Sequence, residues 1–374
     1  MPPAAASILQ EGAATFALLF LHARIAKRKE APTMFFKSCR TAAVKSWSMI
    51  AVLSSLLAGC TGAASEPGLT ANAPAPVQET PKTAAQRTDQ IFDNNAYKGK
   101  LTIRYFHLAG ENLTGDSFLI QSPDGKTMLV DAGLPEVGSQ VVAYLKKLGI
   151  PSLDIALNTH PHIDHIGGYA TIAKEIPIKQ FYMENLPYPK SSAYNNAIAA
   201  IDANNVPKKT LEEGDMFQLG DSVRFEVLNP PKGELPDAVK AFSAQELNDY
   251  SMVLRMTYGD RTFLFTADIY KHREIELSAS PWKDKLKVDM MDIPHHGSES
   301  TSSSEAFLQA VSPKIVVMSQ NVFQSPNLKE RLEKKGANVY STGLHGNILL
   351  HSDGKTIEVV TEKDWAPPKT AEKK

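Results

Sequence analysis

Residues 159–168 read Thr-His-Pro-His-Ile-Asp-His-Ile-Gly-Gly and follow a short apolar run, 155–158, that is typical of a β-strand. Three imidazoles and one carboxylate fall within six residues: His160, His162, Asp164 and His165. His160 and His162 are two positions apart, so in an extended turn both side chains can point at one metal ion. Asp164 and His165, a step further along, would face a neighbouring ion. Imidazole and carboxylate suit zinc, manganese or iron. The stretch therefore predicts a metal site at the end of a strand.

The overall composition predicts a soluble globular protein and excludes cysteine chemistry from its folded part. The chain has 374 residues, 43% hydrophobic and 22% charged, which is close to the average for globular proteins. Its two cysteines are Cys39 and Cys60. Because no cysteine follows position 60, the folded part cannot hold a disulfide, a thiolate metal site or a cysteine nucleophile.

The charge is distributed unevenly along the chain. Residues 1–59 carry seven basic and two acidic side chains, whereas from residue 60 onward the acids outnumber the bases by six. Proteins that bind nucleic acid chiefly through its phosphates usually carry a basic footprint. The folded part has no such global footprint, although a local basic patch is compatible with these counts.

The N-terminal segment predicts an export signal rather than a membrane-spanning helix. Lys37, Arg40 and Lys45 precede an apolar stretch, 47–57, that is too short to cross a bilayer. Residues 57–60, Leu-Ala-Gly-Cys, resemble the lipobox of bacterial lipoproteins. We expect a leader over 1–59, with Met34 as the start of the signal peptide, and a lipid on Cys60 that attaches the chain to the membrane. The alternative is a buried apolar helix with an incidental cysteine.

The composition divides the remainder into a linker, one domain and a tail. Residues 60–95 are rich in Ala, Pro, Thr and Gln and carry few large apolar groups, so they predict a disordered linker behind the lipidated cysteine. Residues 96–362 predict one folded domain, and 363–374 a disordered tail. The expected location is the bacterial cell envelope, with the domain lipid-anchored and facing the periplasm or the exterior.

Within the domain, short strands alternate with helices. Strand patterns occupy 101–108, 117–121, 127–130, 155–158, 223–228, 251–258, 262–265, 286–293, 315–318, 347–351 and 356–361. A helix is predicted over 137–148, and another begins after Ser303 or Ser304. This order predicts an α/β or α+β sandwich.

The chain resembles the metallo-β-lactamase fold superfamily, whose metal signature is HxHxDH after a strand. Asp131 in Leu129-Val-Asp-Ala-Gly133 matches an aspartate that supports the metal ligands, and Asp268 matches the carboxylate that bridges two metals. Pro294-His-His-Gly-Ser298 is similar to the HHGS segment of one branch, which contains the hydrolase domain of ComEC-type DNA-uptake proteins and the phosphorylcholine esterases. The hairpin Leu-Thr-Gly-Asp at 113–116 resembles that branch's Gly-Gln-Gly-Asp.

The resemblance implies an αββα sandwich with two divalent metal ions, zinc favoured and manganese possible. The implied metal ligands are His160, His162, Asp164, His165, Asp268 and His296. His296 would join His160 and His162 on one ion, and Asp164 and His165 would hold the other. His295 is a second ligand or an acid near the leaving group, and the roles of His295 and His296 are interchangeable at this point.

Two histidines of the general superfamily pattern are missing. Residues 246–252, Glu-Leu-Asn-Asp-Tyr-Ser-Met, occupy the place of the third-motif histidine, and residues 318–321, Met-Ser-Gln-Asn, that of the last one. Asn321, His345 or water would then complete the second metal site.

These residues predict a hydrolase that uses a hydroxide held between two metal ions, with Asp164 orienting it or taking its proton. A phosphodiester substrate, either nucleic acid or an envelope component, follows from the HHGS branch and the export signal. A lactone or β-lactam hydrolase is the first alternative. A non-catalytic binding lipoprotein with a degraded site is the second.

Overall fold

The computed structural model describes residues 82–233 and 243–365. The predicted leader, the predicted lipid-attachment site at Cys60 and the predicted linker up to residue 81 lie outside these residues. The strands are β1 (Leu101–Tyr105), β2 (Phe118–Gln121), β3 (Thr127–Val130), β4 (Ile155–Leu157), β5 (Phe181–Met183), β6 (Lys208–Thr210), β7 (Met216–Leu219), β8 (Val223–Asn229), β9 (Val253–Tyr258), β10 (Arg261–Phe265), β11 (Met290–Asp292), β12 (Ile315–Met318), β13 (Asn338–Ser341), β14 (Ile348–Ser352) and β15 (Ile357–Thr361).

The α-helices are α1 (Ala84–Phe92), α2 (Gly138–Lys147), α3 (Ile163–Ile166), α4 (Tyr169–Glu175), α5 (Ser192–Ala203), α6 (Ala244–Asp249), α7 (Lys271–Ala279), α8 (Lys283–Leu286), α9 (Glu305–Val311), α10 (Pro326–Lys334) and α11 (Thr342–His345). Short 3₁₀ turns lie at Asn95–Tyr97, Pro135–Val137 and Pro294–Gly297. Of the two serines predicted to begin a helix, Ser304 is the cap of α9, and its hydroxyl accepts from the amide of Phe307. Within the described ranges, no helix has both the length and the apolar character that crossing a membrane requires.

Two mixed sheets form the middle of the sandwich. The first has the order β15-β14-β1-β2-β3-β4-β5-β6, and the second the order β13-β12-β11-β10-β9-β8-β7. One apolar cluster joins side chains of both sheets, such as Ile103 with Phe225. A second cluster joins the first sheet to α2, α4 and α5, and a third joins the second sheet to α7, α9 and α10. The layers are therefore helix, sheet, sheet and helix, as the sequence resemblance predicts.

The alternation within β1 explains which layer each side chain enters. Ile103 faces the other sheet, whereas Arg104 points to the helical side and is fully buried there. Its Nε donates to the carbonyl of Ile91 at 2.8 Å. Burial also lowers the pKa of this guanidinium to about 10. Helix α1 thus supplies an acceptor to this buried guanidinium, which reduces the cost of its burial.

Helix α1 corrects the predicted extent of the linker. Thr83 and Gln86 cap its first turn reciprocally, and Ile91 and Phe92 enter the same apolar cluster as α2. Residues 84–95 are therefore ordered rather than part of a disordered linker. The polar composition hid this helix because only its last turn carries large apolar side chains. At the other end, Trp365 lies under the ammonium group of Lys329.

Candidate functional site

The predicted site residues lie at one edge of the sandwich, where strand ends of both sheets meet. Strands β3, β4 and β5 are parallel to one another, as are β10, β11 and β12. Their carboxyl ends therefore reach common edges, which is where α/β folds usually place ligands. Asp131 follows β3, His160 follows β4, Asp268 follows β10, and the His295–His296 pair follows β11.

The histidine motif is held against the turn after β3 by a close backbone approach. Helix α3 begins directly after His162, and Gly168 ends the turn that follows it. A Cβ atom on Gly168 would lie 2.1 Å from the carbonyl oxygen of Ala132. Only glycine permits this approach, which explains the Gly-Gly that follows the motif.

Asp131 is the buried carboxylate that orients this motif. Its oxygens accept from the amide and the hydroxyl of Thr159 at 2.8 and 2.7 Å. They also accept from Nδ1 of His165 at 2.7 Å. Asp131 thereby fixes both the end of β4 and the ring of one predicted ligand, the supporting position that the sequence resemblance assigns to it.

Four imidazoles converge on one carboxylate oxygen, Oδ2 of Asp268. The Nε2 atoms lie 3.3 Å (His165), 3.5 Å (His296), 3.7 Å (His160) and 3.7 Å (His295) from it. The fifth ring, that of His162, approaches the cluster with Nδ1 instead of Nε2, and this Nδ1 lies 3.0 Å from Nε2 of His160. Asp268 is buried, so five ring nitrogens surround a water-poor centre.

The partners of the outer Nδ1 atoms fix the tautomers of three of these rings. Nδ1 of His165 faces Asp131, and Nδ1 of His296 faces Asp116 at 2.9 Å and the carbonyl of Ser319 at 2.9 Å. These partners only accept, so each Nδ1 carries a hydrogen and donates it. Nδ1 of His160 donates to the hydroxyl of Thr159, whose own hydrogen goes to Asp131.

His295 follows the same rule through a different hydroxyl. Its Nδ1 lies 2.6 Å from Oγ1 of Thr301, and that hydroxyl donates to Ser298. The ring therefore donates from Nδ1. In all four rings Nε2 is then the nitrogen that faces Asp268, so it can bind a metal ion once any proton on it has left.

Asp164 lies at the mouth of the site. Its Oδ2 is 3.6 Å from Nε2 of His296 and 3.9 Å from Nε2 of His165. Its side chain is 27% exposed, against 3% for Asp268. Asp164 is thus the carboxylate of the cluster that solvent or a substrate reaches directly.

The electrostatics of the site separate the rings into two groups. Burial disfavours charge on His165 and His296, yet nearby carboxylates, Asp268 first, raise the pKa of both rings well above the ordinary value. Burial lowers the pKa values of His160, His162 and His295.

Asp268 itself stays ionised. Burial opposes its charge, but His296 and His165 hold the pKa of the carboxyl well below its ordinary value. The same balance lowers the pKa of Asp164, with His165 as its strongest favourable neighbour.

The donor set fits divalent metal ions. Nε2 of His165, Nε2 of His296 and Oδ1 of Asp268 are buried and have no hydrogen-bond partner among the described residues. Such orphaned atoms normally cost free energy, and a bound cation removes that cost. Three groups have ligand atoms within 4.8 Å of one another: His160, His165 and Asp268; Asp164, His165 and His296; Asp116, Asp268 and His296.

The geometry groups His296 differently from the sequence analysis. His296 lies beside Asp164, with the rings of His165 and His296 5.3 Å apart, whereas the sequence analysis assigned it to His160 and His162. The chain reverses direction at the pair, where His295 and His296 both adopt positive φ. The two side chains have different neighbours, since His295 packs on Tyr270 and His296 on His165, and the linear sequence does not reveal this difference.

The two residues considered for the second metal site have other partners. Asn321 donates to the carbonyls of Gly110 and Asn112 and accepts from the amide of Thr114. His345 accepts from the amide of Ser341 and packs against Tyr340. Neither side chain is among those that surround Asp268.

Two functional residues were missed by the sequence analysis. Asp116 is buried and accepts from Nδ1 of His296, and its signal was the Gly-Asp pair before β2. Asn248 lies near His162 and Tyr270, where its amide raises the pKa of the first and lowers that of the second against the larger effect of burial. Asn248 precedes Asp268 by twenty residues, the spacing of the missing histidine.

Comparison with known proteins identifies the family. The sequence profile of the metallo-β-lactamase superfamily matches residues 110–319, more than half of the chain. ComE operon protein 3 of Bacillus subtilis is 29% identical over 218 residues, which cover 56% of this chain and 26% of that protein. Competence protein ComA of Neisseria gonorrhoeae is 28% identical over 244 residues, covering 64% of this chain and 30% of that protein.

A shorter match has a higher sequence identity. A metal-dependent hydrolase of Thermodesulfovibrio yellowstonii is 44% identical over 64 residues, which cover 17% of this chain and 23% of that protein. The chain spans about a quarter to a third of the length of the curated relatives it matches. From the profile match together with the two-sheet architecture, the chain belongs to the metallo-β-lactamase superfamily.

Proposed function

We propose that this protein is a metal-dependent hydrolase that cleaves phosphodiester bonds outside the cytoplasm. The observation that carries the proposal is the convergence of four Nε2 atoms on Oδ2 of Asp268, with Asp164 at the solvent side. Purely structural histidines rarely direct so many ring nitrogens at one buried carboxylate.

Proximity of the ligand atoms groups Asp164, His165 and His296, which would hold one divalent ion. We assign the remaining rings, His160, His162 and His295, to the other ion, with Asp268 between the two. Zinc is favoured and manganese is the second choice, because imidazole and carboxylate ligands suit both. Bound ions would activate a water molecule near neutral pH and stabilise negative charge at the reacting phosphorus.

Asp164 is the residue that handles the attacking water. Its partly exposed carboxylate lies 3.6 Å from Nε2 of His296 and 3.9 Å from Nε2 of His165, and its lowered pKa keeps it ionised and able to accept a hydrogen bond. It would orient the water toward the phosphorus and take up a proton as the bond forms. Asp268 is too buried to reach the substrate and holds the centre together.

The turn after β11 supports a phosphate substrate. The hydroxyls of Ser298, Ser300 and Thr301 are linked to one another by hydrogen bonds beside His295. The hydroxyl at the end of this chain of hydrogen bonds has a hydrogen free to donate to a non-bridging oxygen of a phosphodiester. The choice of phosphorus over a lactone or β-lactam rests on this turn together with the resemblance of its sequence to the HHGS branch.

The names of the relatives guide the choice of substrate. One relative is named Competence protein ComA, and the HHGS segment resembles that of ComEC-type DNA-uptake proteins, so DNA is the first polymer to test. An envelope phosphodiester remains the alternative, since the leader and Cys60 predict lipid anchoring at the bacterial envelope.

The deciding experiment measures metal content and hydrolysis of bis(p-nitrophenyl) phosphate by the purified full-length chain. We expect about two ions per chain and metal-dependent hydrolysis. His160→Ala and Asp268→Asn should lower the rate at least about 100-fold, because each removes a direct ligand. His272→Ala and Asp284→Asn are matched exposed controls that should keep the parent rate.

Other outcomes contradict the proposal in distinct ways. Cleavage of a lactone or nitrocefin without phosphodiester cleavage would overturn the substrate assignment alone. A chain that binds no metal after incubation with zinc and with manganese, and hydrolyses nothing, would be a binding module.

A further inference from the structure

The five imidazoles of the site are supported from behind by two chemically different sets of groups. His165 and His296 each donate from Nδ1 to a carboxylate, that of Asp131 at 2.7 Å and that of Asp116 at 2.9 Å. Both carboxylates are buried, with 1% and 5% exposure, so water screens them little.

The other three rings, His160, His162 and His295, have uncharged groups behind them. Nδ1 of His160 donates to the hydroxyl of Thr159 at 3.1 Å, and Nδ1 of His295 to the hydroxyl of Thr301 at 2.6 Å. The amide of Asn248 is the polar neighbour of His162. No carboxylate in the described residues accepts directly from any of these three rings from behind.

This difference has a chemical consequence for metal binding. A carboxylate behind an imidazole increases the basicity of the ring nitrogen that faces the ion, whereas a hydroxyl does so much less. The side of His165 and His296 also has a carboxylate ligand of its own, Asp164, in addition to the shared Asp268.

We propose that the two metal sites load in a fixed order: the ion beside Asp164, His165 and His296 binds first and tightly, and the ion beside His160, His162 and His295 binds second and exchanges readily. Asp116 is then a positioning residue for the tight site, because it fixes the ring and the tautomer of His296. The proposal rests on the two-ion site proposed above.

The loop that carries Asp116 is built to keep this carboxylate in place. The amides of Thr114 and Gly115 donate to Oε1 of Gln320 at 2.9 and 3.3 Å, and Gln320 follows β12. The backbone of Gly115 also packs directly on Asp164. Asp116 is thus connected to the carboxylate ligand of the tight site as well as to His296.

The test is a competition titration of the metal-free full-length chain with zinc against a chromogenic zinc chelator. Metal content after desalting gives the stoichiometry independently of any activity. We expect two zinc ions with dissociation constants at least about tenfold apart. His296→Ala should abolish the tight class, and His162→Ala should abolish only the weak class.

Two isosteric variants test the supporting groups. Asp116→Asn keeps the shape and an acceptor but removes the charge, so it should weaken the tight class about 10- to 100-fold and leave the weak class within about threefold. Thr301→Val removes the hydroxyl behind His295 and should weaken only the weak class. Thermal unfolding of each metal-free variant shows whether the fold is intact.

The possible results distinguish a failure of the loading order from a failure of the two-ion site. Equal affinities for both ions, or a tight class that is lost in His162→Ala and kept in His296→Ala, would overturn the order. A chain that saturates at one zinc contradicts the two-ion site. That single ion still supports the ranking if His296→Ala removes it, and overturns the ranking if only His162→Ala removes it.

Discussion

At the scale of single residues, Glu184 is a buried acid that the proposed chemistry does not use. It follows β5 and is fully buried, and neither carboxylate oxygen has a hydrogen-bond partner in the described part of the chain. Burial raises the pKa of this carboxyl well above the ordinary value of 4.5. An ionised acid without a partner destabilises the folded state.

Replacement by glutamine should therefore have a pH-dependent effect on stability. Because the pKa of Glu184 is raised on folding, the parent loses stability as the pH rises from 4.5 toward the folded pKa. Glu184→Gln lacks this loss, so the Tm of the variant relative to the parent should increase between pH 5 and pH 8.

The measurement is a thermal melt of metal-free protein across that range. Glu111→Gln, at an exposed loop position, is the control and should give a flat difference. A Tm difference for Glu184→Gln that is constant with pH would mean that the carboxyl keeps an ordinary pKa in the fold.

Several site residues also have unusual backbone conformations. Asp131, Ala267, His295 and His296 all have positive φ, between 45° and 55°. A side chain in this region costs roughly 1–3 kcal/mol, which the surrounding packing must offset. The strain lies at the ends of β3, β10 and β11, where the chain turns to direct Asp268 and the two histidines inward.

At the scale of elements, the β1–β2 loop rests on α3 through Gly115. Gly115 has φ +75°, and a Cβ atom there would lie 1.8 Å from the carbonyl oxygen of Asp164. Gly125 has a similar φ of +85° but nothing within 4 Å of such an atom. A substitution at Gly125 therefore tests backbone strain alone, whereas a substitution at Gly115 tests backbone strain together with a steric clash.

Alanine at each position should destabilise the protein by different amounts. Gly125→Ala should cost about 1–2 kcal/mol of unfolding free energy from the left-handed backbone alone. Gly115→Ala should cost more and should also reduce zinc binding, because Asp164 must move. Denaturant unfolding and metal content measure the two effects, and equal losses in both variants would contradict the packing of Gly115 on Asp164.

Helix α1 is the element that the composition concealed. Ile91 is 1% exposed and Phe92 stacks on Tyr144 at 5.2 Å. Truncation of a buried isoleucine costs about 2–5 kcal/mol, so Ile91→Ala should lower the free energy of unfolding by that amount. The exposed Asp89→Ala in the same helix is the control. An effect of Ile91→Ala as small as that of the control would show that α1 is not part of the folded core.

At the scale of the whole molecule, the sandwich brings together groups from both sheets that are far apart in sequence. His160 follows a strand of the first sheet, and Asp268 and His295 follow strands of the second. Their contacts are possible only when both sheets are assembled. Metal binding and the stability of the sandwich are therefore linked, since an ion that binds only the folded state stabilises it.

Zinc should raise the Tm, and the increase should depend on pH. The pKa values of His165 and His296 are raised on folding, so in the metal-free protein their favourable contribution is complete below about pH 6.5 and is lost as the pH rises through the folded pKa values. Zinc requires the neutral rings and replaces these protons.

The increase in Tm on adding zinc should thus be larger at pH 8 than at pH 6. The free energy of unfolding should increase by about 4 kcal/mol when the free ion is 1,000 times the dissociation constant. Calorimetry in buffers of different ionisation enthalpy should show proton release on binding. A zinc effect that is the same at both pH values would mean that the two rings are already neutral before the ion binds.

The sequence by itself determined the ligand types and the class of fold. The HxHxDH stretch, Asp131 and Asp268 are local signals, because each is short and follows a recognisable strand. The alternation of strands and helices predicted an α/β or α+β sandwich, and the family resemblance of the motifs implied the four layers. These features depend on residues that are neighbours in sequence, and for that reason they can be read without a structure.

Only the tertiary structure decided how the ligands divide and what supports them. Asp116 and His296 are 180 residues apart, yet they share a hydrogen bond. Positive φ values at 295 and 296 accompany different neighbours for these adjacent histidines, Tyr270 for His295 and His165 for His296. The formation of helix α1 likewise depends on its contact with Arg104 and on an apolar cluster whose other members are distant in sequence. Such contacts arise from packing between elements, and sequence periodicity records only which face of an element is buried.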